Sequence, residues 1–406
     1  MPDTYQPQKP SPAGQAIHDF LVLGSHDEHA RQSYVSDLRM HILAKIGAGL
    51  RSVYEHRVKP TFAGEKERNP ENEHEVRKAI MKDPYCQTWS SMMRSCQEMI
   101  WDSITPSIER AQPNLNNRIN SIDPASKLGS LQLNPEVVIP AYIKAADIHL
   151  MPGNYHTERT EGDASQGALY DRGVYVYAGG NAGPYGDNLG RSVGEFLKRS
   201  YPDFKPERIL EIGCTVGHNI GPFTDLYPNA EIHAIDVSAP AVRYGHARAE
   251  ALGNPIHFHQ MNGEQMDFAD ESFDLVLTFV LFHETSRTAL RNIMKECHRV
   301  LKHGGLGLHQ ELPRSFEMDP FDAFYMDWDA YYNNEPFYQA STSTDMKDVI
   351  VSGGFDPKNY VSFTMPDFYK ATTEEFNEAV QSVADRSDTA ARLGETIQWS
   401  TWGAWK

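Results

Sequence analysis

The chain has 406 residues, and 55 acidic against 38 basic side chains give it a formal net charge of −17. A surface this acidic repels phosphate backbones, and the sequence has no run rich in Lys and Arg, so nucleic acid is not an expected partner. The 18 Phe, 19 Tyr and 6 Trp are spread along the whole sequence and argue against low-complexity disorder.

The four cysteines, Cys86, Cys96, Cys214 and Cys297, are far apart and form no C-x-x-C pair. This spacing suits neither a disulfide framework nor a zinc ribbon, and it is typical of a reducing compartment. No apolar run approaches the ~18 residues that a membrane span needs. The beginning, MPDTYQPQKPSPAGQ, is polar and Pro-rich and does not resemble a signal peptide. We therefore expect a cytoplasmic protein without a membrane partner.

The amino-terminal part is predicted to be helical after a flexible or draping arm of 15 residues. Ser25 and Glu28 form an S-x-x-E capping box, which satisfies free backbone amides at a helix start. Apolar residues then recur at i+4 spacing from Leu38 to Tyr54, which predicts one helix that ends at Pro60.

A second helix is predicted from apolar residues that repeat every three or four positions: Trp89, Met93, Cys96 and Ile100. We interpret its Met-rich face as core packing rather than as a cofactor site. Residues 1–148 are therefore predicted to form a helical domain that contributes to substrate binding, to a lid or to dimerisation.

Residues 149–194 are predicted to be an irregular segment that covers the active site. Gly, Tyr, His and Arg crowd together in HLMPGNYHTERTEGDASQGALYDRGVYVYAGGNAGPYGDN without a helical or strand period. A loop this long in a compact protein is usually functional or disordered, and its aromatic residues argue against disorder.

From Leu197 onward, predicted strands alternate with helices, as in a parallel sheet with helices on both faces. The predicted strands are ERILEIG, AEIHAIDVS, SFDLVLTFVLF, LGLHQEL and the terminal IQWSTWGAWK. The predicted helices are GPFTDLYP and ALRNIMKECHRVLKHGG, the latter closed by Gly304 and Gly305. Residues 195–406 are therefore predicted to form an α/β domain, with a lid insertion at 314–345.

The strongest functional signal is the loop Glu211-Ile-Gly213-Cys-Thr-Val-Gly217-His-Asn between a predicted strand and a predicted helix. Glycine there lets the backbone approach a ligand closely. Asp236 lies 19 residues after Gly217, where a carboxylate can accept both ribose hydroxyls of an adenine nucleoside. Dinucleotides and S-adenosylmethionine (SAM) share this geometry. Glu211 favours SAM, because it would repel a pyrophosphate but tolerates an ammonium or a sulfonium group.

At 195–310 the chain resembles a class I SAM-dependent methyltransferase of the small-molecule type. ILEIGCTVGHN resembles the family's first glycine motif, AIDVS its second-strand motif, MNGEQMDFADESFDLVLTFVLFHE its adenine loop and fourth strand, and HRVLKHGGLGL the following helix, Gly-Gly turn and strand. The motifs occur in the family's order. The resemblance implies a Rossmann-like, doubly wound, seven-stranded α/β sheet, SAM as cofactor, and methyl transfer to a small molecule. It does not cover the first 190 residues.

The resemblance also implies cofactor roles. Glu211 would hold the methionine ammonium, and Asp236, beside Val237, would hold the ribose diol. Asn262, Gly263 and Glu264 would bind the adenine, and Phe279 would line the methyl-transfer channel. The loop backbone under the cofactor would be formed by Gly213, Cys214, Thr215, Gly217 and Asn219. Thr215 departs from the family, because it replaces the middle glycine and narrows the loop.

Methyl transfer is an in-line displacement at a sulfonium carbon, so the enzyme mainly positions and desolvates the reactants. A base is needed only when the nucleophile carries a proton. His283, followed by Glu284, falls just beyond the fourth strand of the family and is the candidate base or acceptor-orienting residue. The alternative is that His283 is a structural cap.

His309 and Glu311 share one face of the next predicted strand. Together with His283 and Glu284 they have the chemistry to bind a divalent metal that orients an oxygen acceptor. We prefer a plain hydrogen-bond network, and no metal is predicted.

Two segments are predicted to enclose the acceptor. In FEMDPFDAFYMDWDAYYNNEPFY, the acids together with Trp328 and Tyr331 would suit an amine or another cation, although an ordinary amphipathic helix has the same pattern. In the upstream segment, the candidates are Tyr155, His156, Tyr170 and Arg172. Tyr170 is a catalytic candidate, and Arg172 would grip the SAM carboxylate or an acidic acceptor. Loop packing and surface ion pairs are the alternative explanation.

Three alternatives stay open. In the first, no acceptor enters, and SAM's own amine or carboxylate displaces methylthioadenosine. In the second, the chain is a SAM-binding module without catalysis. A nicotinamide enzyme is the weakest. A homodimer through the helical domain is an expectation from fold-level analogy. The acceptor atom, whether O, N, S or C, is not specified by the sequence.

Overall fold

The apolar runs of the carboxyl-terminal half form one sheet. The computed structural model describes residues 14–123, 128–382 and 399–406. Within these residues the sheet has eight strands in the order β1-β4-β3-β2-β5-β6-β8-β7. They are β1 (Ser130–Gln132), β2 (Arg208–Ile212), β3 (Glu231–Asp236), β4 (Ile256–Gln260), β5 (Phe273–Phe279), β6 (Leu301–Glu311), β7 (Tyr360–Met365) and β8 (Trp399–Trp405). Strand β8 runs antiparallel to β6 and β7, and the other pairs are parallel.

The helices divide into an amino-terminal group and a group that belongs to the sheet. The amino-terminal helices are α1 (His26–His41), α2 (Gly47–Val53), α3 (Lys59–Lys66), α4 (Glu73–Ile80) and α5 (Pro84–Asn120). They are followed by α6 (Ala141–Lys144), α7 (Ser165–Tyr177), α8 (Asn188–Ser200), α9 (Gly221–Leu226), α10 (Ala239–Leu252), α11 (Arg287–Val300), α12 (Pro320–Tyr332), α13 (Tyr338–Thr342), α14 (Met346–Gly353) and α15 (Thr373–Ser382).

The central strands are apolar on both faces because both faces are covered. In β2, Ile209 packs on the side of α8, whereas Leu210 packs on the opposite side, against α11 and α14. Both side chains are fully buried. The predicted α/β class, with helices on both faces of a mainly parallel sheet, is confirmed.

The amino-terminal helices pack around the long helix α5. The predicted stripe of Trp89, Met93, Cys96 and Ile100 is buried along this helix, in one core with α1, α7 and α12. The capping box of Ser25 and Glu28 starts α1, as predicted.

Two predicted helix ends are wrong. Pro60 does not end the first helix, because it falls in the first turn of α3 after a π-helical turn at Tyr54–Val58. A missing N–H costs little in a first turn. The helix predicted to close at Gly304 and Gly305 ends earlier, at Val300, and both glycines lie inside β6.

The sheet has one strand more than the predicted seven. Strand β1 comes from the region predicted to be helical, and it extends the sheet beside β4. Ser130 Oγ lies 2.8 Å from His257 Nδ1. The Glu250 carboxylate accepts the backbone N–H groups of Leu128 and Gly129. These side chains hold a three-residue strand that has no clear pattern of its own.

The segment 149–194 is not irregular throughout, because it contains all of α7 and the start of α8. Helix α7 is buried on several sides, against α1, α5 and α10, and its mixed sequence SQGALYDRGVYVY therefore has no single apolar stripe. The division into domains at 148 and 194 stays a prediction.

Helix α12, inside the predicted lid, packs against α4 and α5. Residues 1–13 of the predicted 15-residue arm and the first residues of the predicted terminal strand lie outside the described residues. In the part of the chain that the structure describes, no helix combines the length and the apolarity that crossing a membrane requires.

Candidate active site

The carboxyl ends of the parallel strands meet at one edge of the sheet, and the loop after β2 lies at its centre. Gly213 and Gly217 have φ values of 75° and 74°. A Cβ on Gly213 would lie 2.6 Å from Leu281 Cδ1. The N–H groups of Gly213 and Cys214 donate to Ile235 O of β3 at 2.9 and 3.0 Å. The loop is therefore fixed to the neighbouring strand and can pass closely under a ligand.

Thr215 occupies the position of the missing glycine and adopts a left-handed conformation with a φ of 47°. Such a conformation is unfavourable for a β-branched residue and persists only where the surroundings impose it. The Asp236 carboxylate holds the Thr215 N–H at 3.0 Å, and the Thr215 hydroxyl donates to Cys214 O. The loop thus keeps its glycine-like path without the glycine.

Glu211 is the acidic residue at the base of this loop. It is 1% exposed, and among the described residues its Oε2 has no hydrogen-bond partner. Burial and the nearby Asp236 raise the pKa of Glu211 to about 8. A buried carboxyl without a donor is costly, and a bound ammonium group would satisfy it.

Asp236 ends β3 and faces the same loop. Its Oδ1 accepts the Ser238 N–H at 2.9 Å, so the carboxylate also starts α10. Burial raises its pKa. The Gln260 side chain donates to Val237 O at 3.3 Å, which ties the end of β4 to this turn. Asn219 Oδ1 accepts the Gly190 N–H of α8 at 3.2 Å.

The predicted adenine loop follows β4. Asn262 Oδ1 accepts the Glu264 N–H at 2.9 Å, which makes a local turn. The Glu264 carboxylate accepts the Tyr142 hydroxyl at 3.0 Å and Asn292 Nδ2 at 2.9 Å. Gly263 is needed because a Cβ would lie 2.5 Å from Ile212 Cγ2. Tyr142, from α6, is a neighbour that sequence reasoning missed.

His283 and Glu311 form a buried pair at the ends of β5 and β6. His283 Nδ1 lies 2.7 Å from Glu311 Oε2, and Glu311 Oε1 accepts the Phe282 N–H at 2.5 Å. Burial would lower the pKa of His283, but Glu311 and Glu284 oppose it and raise the pKa to about 9. Glu311 thus holds Nδ1 of His283, and Nε2 of the same ring is directed to other groups. Phe279, the last residue of β5, is buried beside them.

His149, which precedes α7 in the chain, contacts the same group of side chains. Its Nε2 lies 2.9 Å from Glu284 Oε1 and its Nδ1 lies 3.1 Å from Glu335 Oε1. Glu284 Oε1 in turn lies 3.6 Å from His283 Nε2. We call Glu335, His149, Glu284, His283 and Glu311 the carboxylate–histidine network.

The backbone at His149 is held in the left-handed region, with a φ of 54°. Its carbonyl accepts Gln97 Nε2 at 2.7 Å and Trp101 Nε1 at 2.6 Å, both from α5. Burial would lower the pKa of His149, but Glu335 and Glu284 raise it to about 10. Sequence reasoning missed His149 and Glu335, and no local pattern marks either.

Tyr155 and Tyr170 lie between the network and the glycine loop. The Tyr155 hydroxyl donates to Glu284 Oε1 at 3.4 Å, and its carbonyl accepts the Ser238 hydroxyl at 2.6 Å. The two tyrosine rings meet edge to face at 5.8 Å. The Tyr170 ring stacks on His218 of the glycine loop with ring centroids 5.6 Å apart. The structure therefore brings both tyrosines to the loop.

Arg172 points away from the loop. Its Nε donates to Gln32 Oε1 at 2.9 Å and its guanidinium donates to Gln15 Oε1 at 2.7 Å, so it binds the amino-terminal segment. Helix α7 turns its neighbour Asp171 toward the loop instead. The prediction that Arg172 grips the SAM carboxylate or an acidic acceptor finds no support in these contacts.

Asp171 is a buried centre of contacts that sequence reasoning missed. Its carboxylate binds His18 Nε2 at 2.9 Å, His218 Nε2 at 2.8 Å and the Tyr244 hydroxyl at 2.8 Å. Burial opposes ionisation, but the two histidines and Arg248 hold its pKa well below the usual range. Asp171 thereby joins the amino-terminal segment, the glycine loop and α10.

Four further candidates lie apart from the network. His309 is packed between Phe282 and Trp402, with its Nδ1 3.0 Å from Thr278 Oγ1, and burial lowers its pKa to about 3. His156 is half-buried, and Lys144 and Asp147 are its charged neighbours.

Trp328 donates from Nε1 to Ser90 Oγ at 2.9 Å and is buried against α5. Tyr331 stacks on Trp328 with ring centroids 4.8 Å apart and is exposed. Trp328 thus packs on α5, an arrangement that the amphipathic-helix alternative also predicts. Within 14–123, 128–382 and 399–406, no group of three or more His, Cys, Asp or Glu side chains is arranged to hold a metal ion.

The glycine loop, β3 to β5 and α11 coincide with a match to a known family. Residues 209–305 match the model of a methyltransferase domain. The malonyl-[acyl-carrier protein] O-methyltransferase of Methylococcus capsulatus is 31% identical over 122 residues, which are 29% of this chain and 42% of that protein. A probable phthiotriol/phenolphthiotriol dimycocerosates methyltransferase of Mycobacterium ulcerans is 27% identical over 121 residues, which are 30% of this chain and 45% of that protein.

The chain thus spans less than half the length of these curated relatives. Among solved structures, phosphoethanolamine N-methyltransferase 2 of Haemonchus contortus in complex with SAM is 15% identical, with a TM-score of 0.42. That comparison covers 67% of this chain and 61% of the other.

Proposed function

We propose that this protein, whose residues 209–305 match a methyltransferase domain, transfers the methyl group of SAM to a small-molecule acceptor. The observation that carries the proposal is the buried His283–Glu311 pair beside the glycine loop, where the two strands that hold it end. The enclosing lid is α12 with the turn after it, together with the segment around His149 and Tyr155.

The residues of the loop suit SAM. The unpartnered Glu211 carboxyl would hold the ammonium group, and the positive φ of Gly213 and Gly217 lets the loop backbone turn under the cofactor. Asp236 would accept the ribose hydroxyls, and the turn at Asn262 and Gly263 would bind the adenine. Bound SAM supplies a methyl group on a sulfonium, which is electrophilic.

The remaining chemistry belongs to the network. Tyr155 and Tyr170 wall the space between the loop and Glu284, and they exclude water from it. Glu311 holds His283 by Nδ1, so that Nε2 can orient an acceptor or take its proton. His283 is the candidate catalytic residue, and Glu284 and Tyr170 remain candidates beside it.

The proton balance at Glu211 gives a first prediction. Since the pKa of Glu211 is raised to about 8, the carboxyl is mostly protonated at pH 7. A bound ammonium favours the carboxylate, so SAM binding at pH 7 is expected to release up to about one proton. Calorimetric titrations in buffers of different ionisation enthalpy measure this release.

The matched variant Glu211→Gln is expected to bind SAM without that release. The exposed Glu378→Gln serves as the control and is expected to behave as the wild type does. Equal proton release from wild type and Glu211→Gln would contradict the assignment of Glu211 to the ammonium.

Mass spectrometry of the SAM-derived products tests the function itself. The purified protein is given SAM alone, and then SAM with an extract of small metabolites. S-adenosylhomocysteine (SAH) that forms only with the extract, together with a product heavier by one methylene, supports methyl transfer. Methylthioadenosine from SAM alone would favour the intramolecular displacement, and intact SAM in both samples would favour a binding module. The cytoplasmic location and a homodimer stay predictions.

A further inference from the structure

The carboxylate–histidine network contains buried acceptors that lack donors. Glu284 is 7% exposed, and its Oε2 has no hydrogen-bond partner in the described part of the chain. Asn333, just after α12, is 1% exposed, and its Oδ1 is likewise without a partner there. Buried polar atoms in native proteins are normally hydrogen-bonded, so two orphaned acceptors in one network call for a group that brings donors.

The positions of these two residues are connected through Glu335. Asn333 precedes Glu335 by two residues, and Glu335 Oε1 lies 3.1 Å from His149 Nδ1. His149 Nε2 then meets Glu284 Oε1 at 2.9 Å. One imidazole thus lies within ion-pair distance of one oxygen of each glutamate, and the second oxygen of Glu284 is left for another donor.

The charges in the network also leave a surplus. Three glutamates, Glu284, Glu311 and Glu335, stand against two histidines. Even with both imidazoles protonated, one negative charge remains. Asp329 is buried near Glu335 and His149, and the positive charge of Arg39 offsets part of its own. An anionic ligand would be repelled by the network, whereas a cationic one would balance it.

The residues around this surplus negative charge come from three separate segments of the chain. Glu284 follows β5, His149 precedes α7, and Glu335 follows α12. Asn333 Nδ2 donates to the Tyr177 hydroxyl of α7 at 3.1 Å. Three of these four residues therefore lie outside the residues that match the methyltransferase domain, on the side where an acceptor would bind.

We propose that the acceptor carries a cationic nitrogen, an ammonium or a guanidinium group, which is bound by Glu284, Glu335 and Asn333. This inference rests on the proposed methyl transfer and adds the class of its acceptor. The N–H groups of such a cation supply the donors that Glu284 Oε2 and Asn333 Oδ1 lack. A neutral alcohol of the same length would supply fewer donors and would leave the surplus charge.

The test compares cations with matched neutral molecules. The probes are linear primary amines, diamines and guanidines, each paired with the alcohol of equal length, such as 1,4-diaminobutane with 1,4-butanediol. Two readouts are used: the shift in melting temperature of the SAH complex, and SAH formation from SAM. At least one cation is expected to raise the melting temperature and to drive SAH formation, while its alcohol partner does neither.

Variants link the effect to the network. Glu335→Gln is expected to weaken cation binding ~10-fold or more, because a charge-assisted hydrogen bond is lost, while the affinity for SAM stays unchanged. Asn333→Asp adds a negative charge and is expected to tighten cation binding, a direction that misfolding cannot produce. The exposed Glu109→Gln removes a carboxylate elsewhere and is expected to change neither.

Each contrary outcome has its own meaning. The inference is overturned if alcohols act as well as amines, or if no cation of the panel binds. In either case, SAM binding and SAH formation with other acceptors would still uphold the methyl transfer. If Glu284→Gln weakens SAM but not SAH, and no cation binds, the surplus charge serves the sulfonium and the inference fails. If SAM itself does not bind, the proposed function fails first.

Discussion

The substitution His283→Asn is expected to lower kcat by about 10²- to 10⁴-fold, the range usual for loss of a general acid or base. His283 lies between Glu311, which holds its Nδ1 at 2.7 Å, and Glu284, which lies 3.6 Å from its Nε2. Neither contact reaches the cofactor loop, so the affinity for SAM is expected to stay unchanged. Steady-state rates of SAH formation and a separate SAM titration measure the two quantities.

The dependence of the rate on pH distinguishes a base from an orienting residue. The pKa of His283 is raised to about 9, so at pH 7 the ring is mainly protonated and a base would be scarce. If the neutral ring takes the acceptor's proton, kcat/KM should rise with pH and level off near pH 9. In Glu311→Gln the negative charge that raises the pKa of His283 is gone. This pKa therefore falls, and the plateau of kcat/KM begins at lower pH.

The surface histidine His56 provides the control, because it is exposed and has no catalytic neighbour among the described residues. His56→Asn is expected to keep the wild-type rate. If His283→Asn keeps it as well, His283 is a structural cap, which was the alternative from the sequence. A rate that does not change with pH while His283→Asn is slow would leave His283 with an orienting role only.

Replacing Asp171 by Ala is expected to reduce the free energy of unfolding by about 3–5 kcal/mol, as when one partner of a buried ionic group is removed. His18, His218 and Tyr244 share this carboxylate within 2.9 Å and would lose it together. Urea denaturation measures the loss. Because His218 follows Gly217 in the glycine loop, the affinity for SAM is also expected to fall.

The contribution of Asp171 to the free energy of unfolding is also expected to depend on pH. The pKa of Asp171 is well below its usual range, so its contribution is present above the pKa of the unfolded chain. It is lost as the pH falls through the folded-state pKa. The difference in stability between wild type and Asp171→Ala should therefore shrink in acid.

Asp203 is exposed and serves as the matched control. Asp203→Ala is expected to change the free energy of unfolding by less than about 0.5 kcal/mol, as surface substitutions usually do. An equally small change for Asp171→Ala would mean that its three partners find other acceptors, and that the amino-terminal segment is not tied to the loop through this carboxylate.

Local patterns explain which predictions about the fold are confirmed. The strand of ERILEIG, the loop from Glu211 to Asn219 and the strand that ends at Asp236 are short, and each is marked by apolar residues or glycines within its own few positions. Strand β4 is not among the predicted strands, because its alternation of Ile256 and Phe258 with polar residues extends over only five positions. Strand β1 depends on Glu250 and His257, and no pattern in its own three residues predicts it.

The candidate site divides in the same way. His283 and Glu284 could be found from the sequence because they follow a recognisable strand. His149 and Glu335 could not, because one precedes a helix in a segment without a period and the other ends an aromatic helix. His149 contacts both Glu284 and Glu335 and so joins three distant parts of the chain. Trp328 and Tyr331 have the composition of a cation site, yet packing on α5 uses that face of α12.

By itself, the sequence determined the α/β class, the methyltransferase loop and its acidic partners, because these follow from hydrophobic periodicity and from glycine positions over a few residues. Only the tertiary structure decided that Asp171 rather than Arg172 faces the loop, and that His149 and Glu335 complete the network around His283. The reason is that burial and ion pairing between distant residues depend on how whole helices pack, and no local spacing encodes that packing.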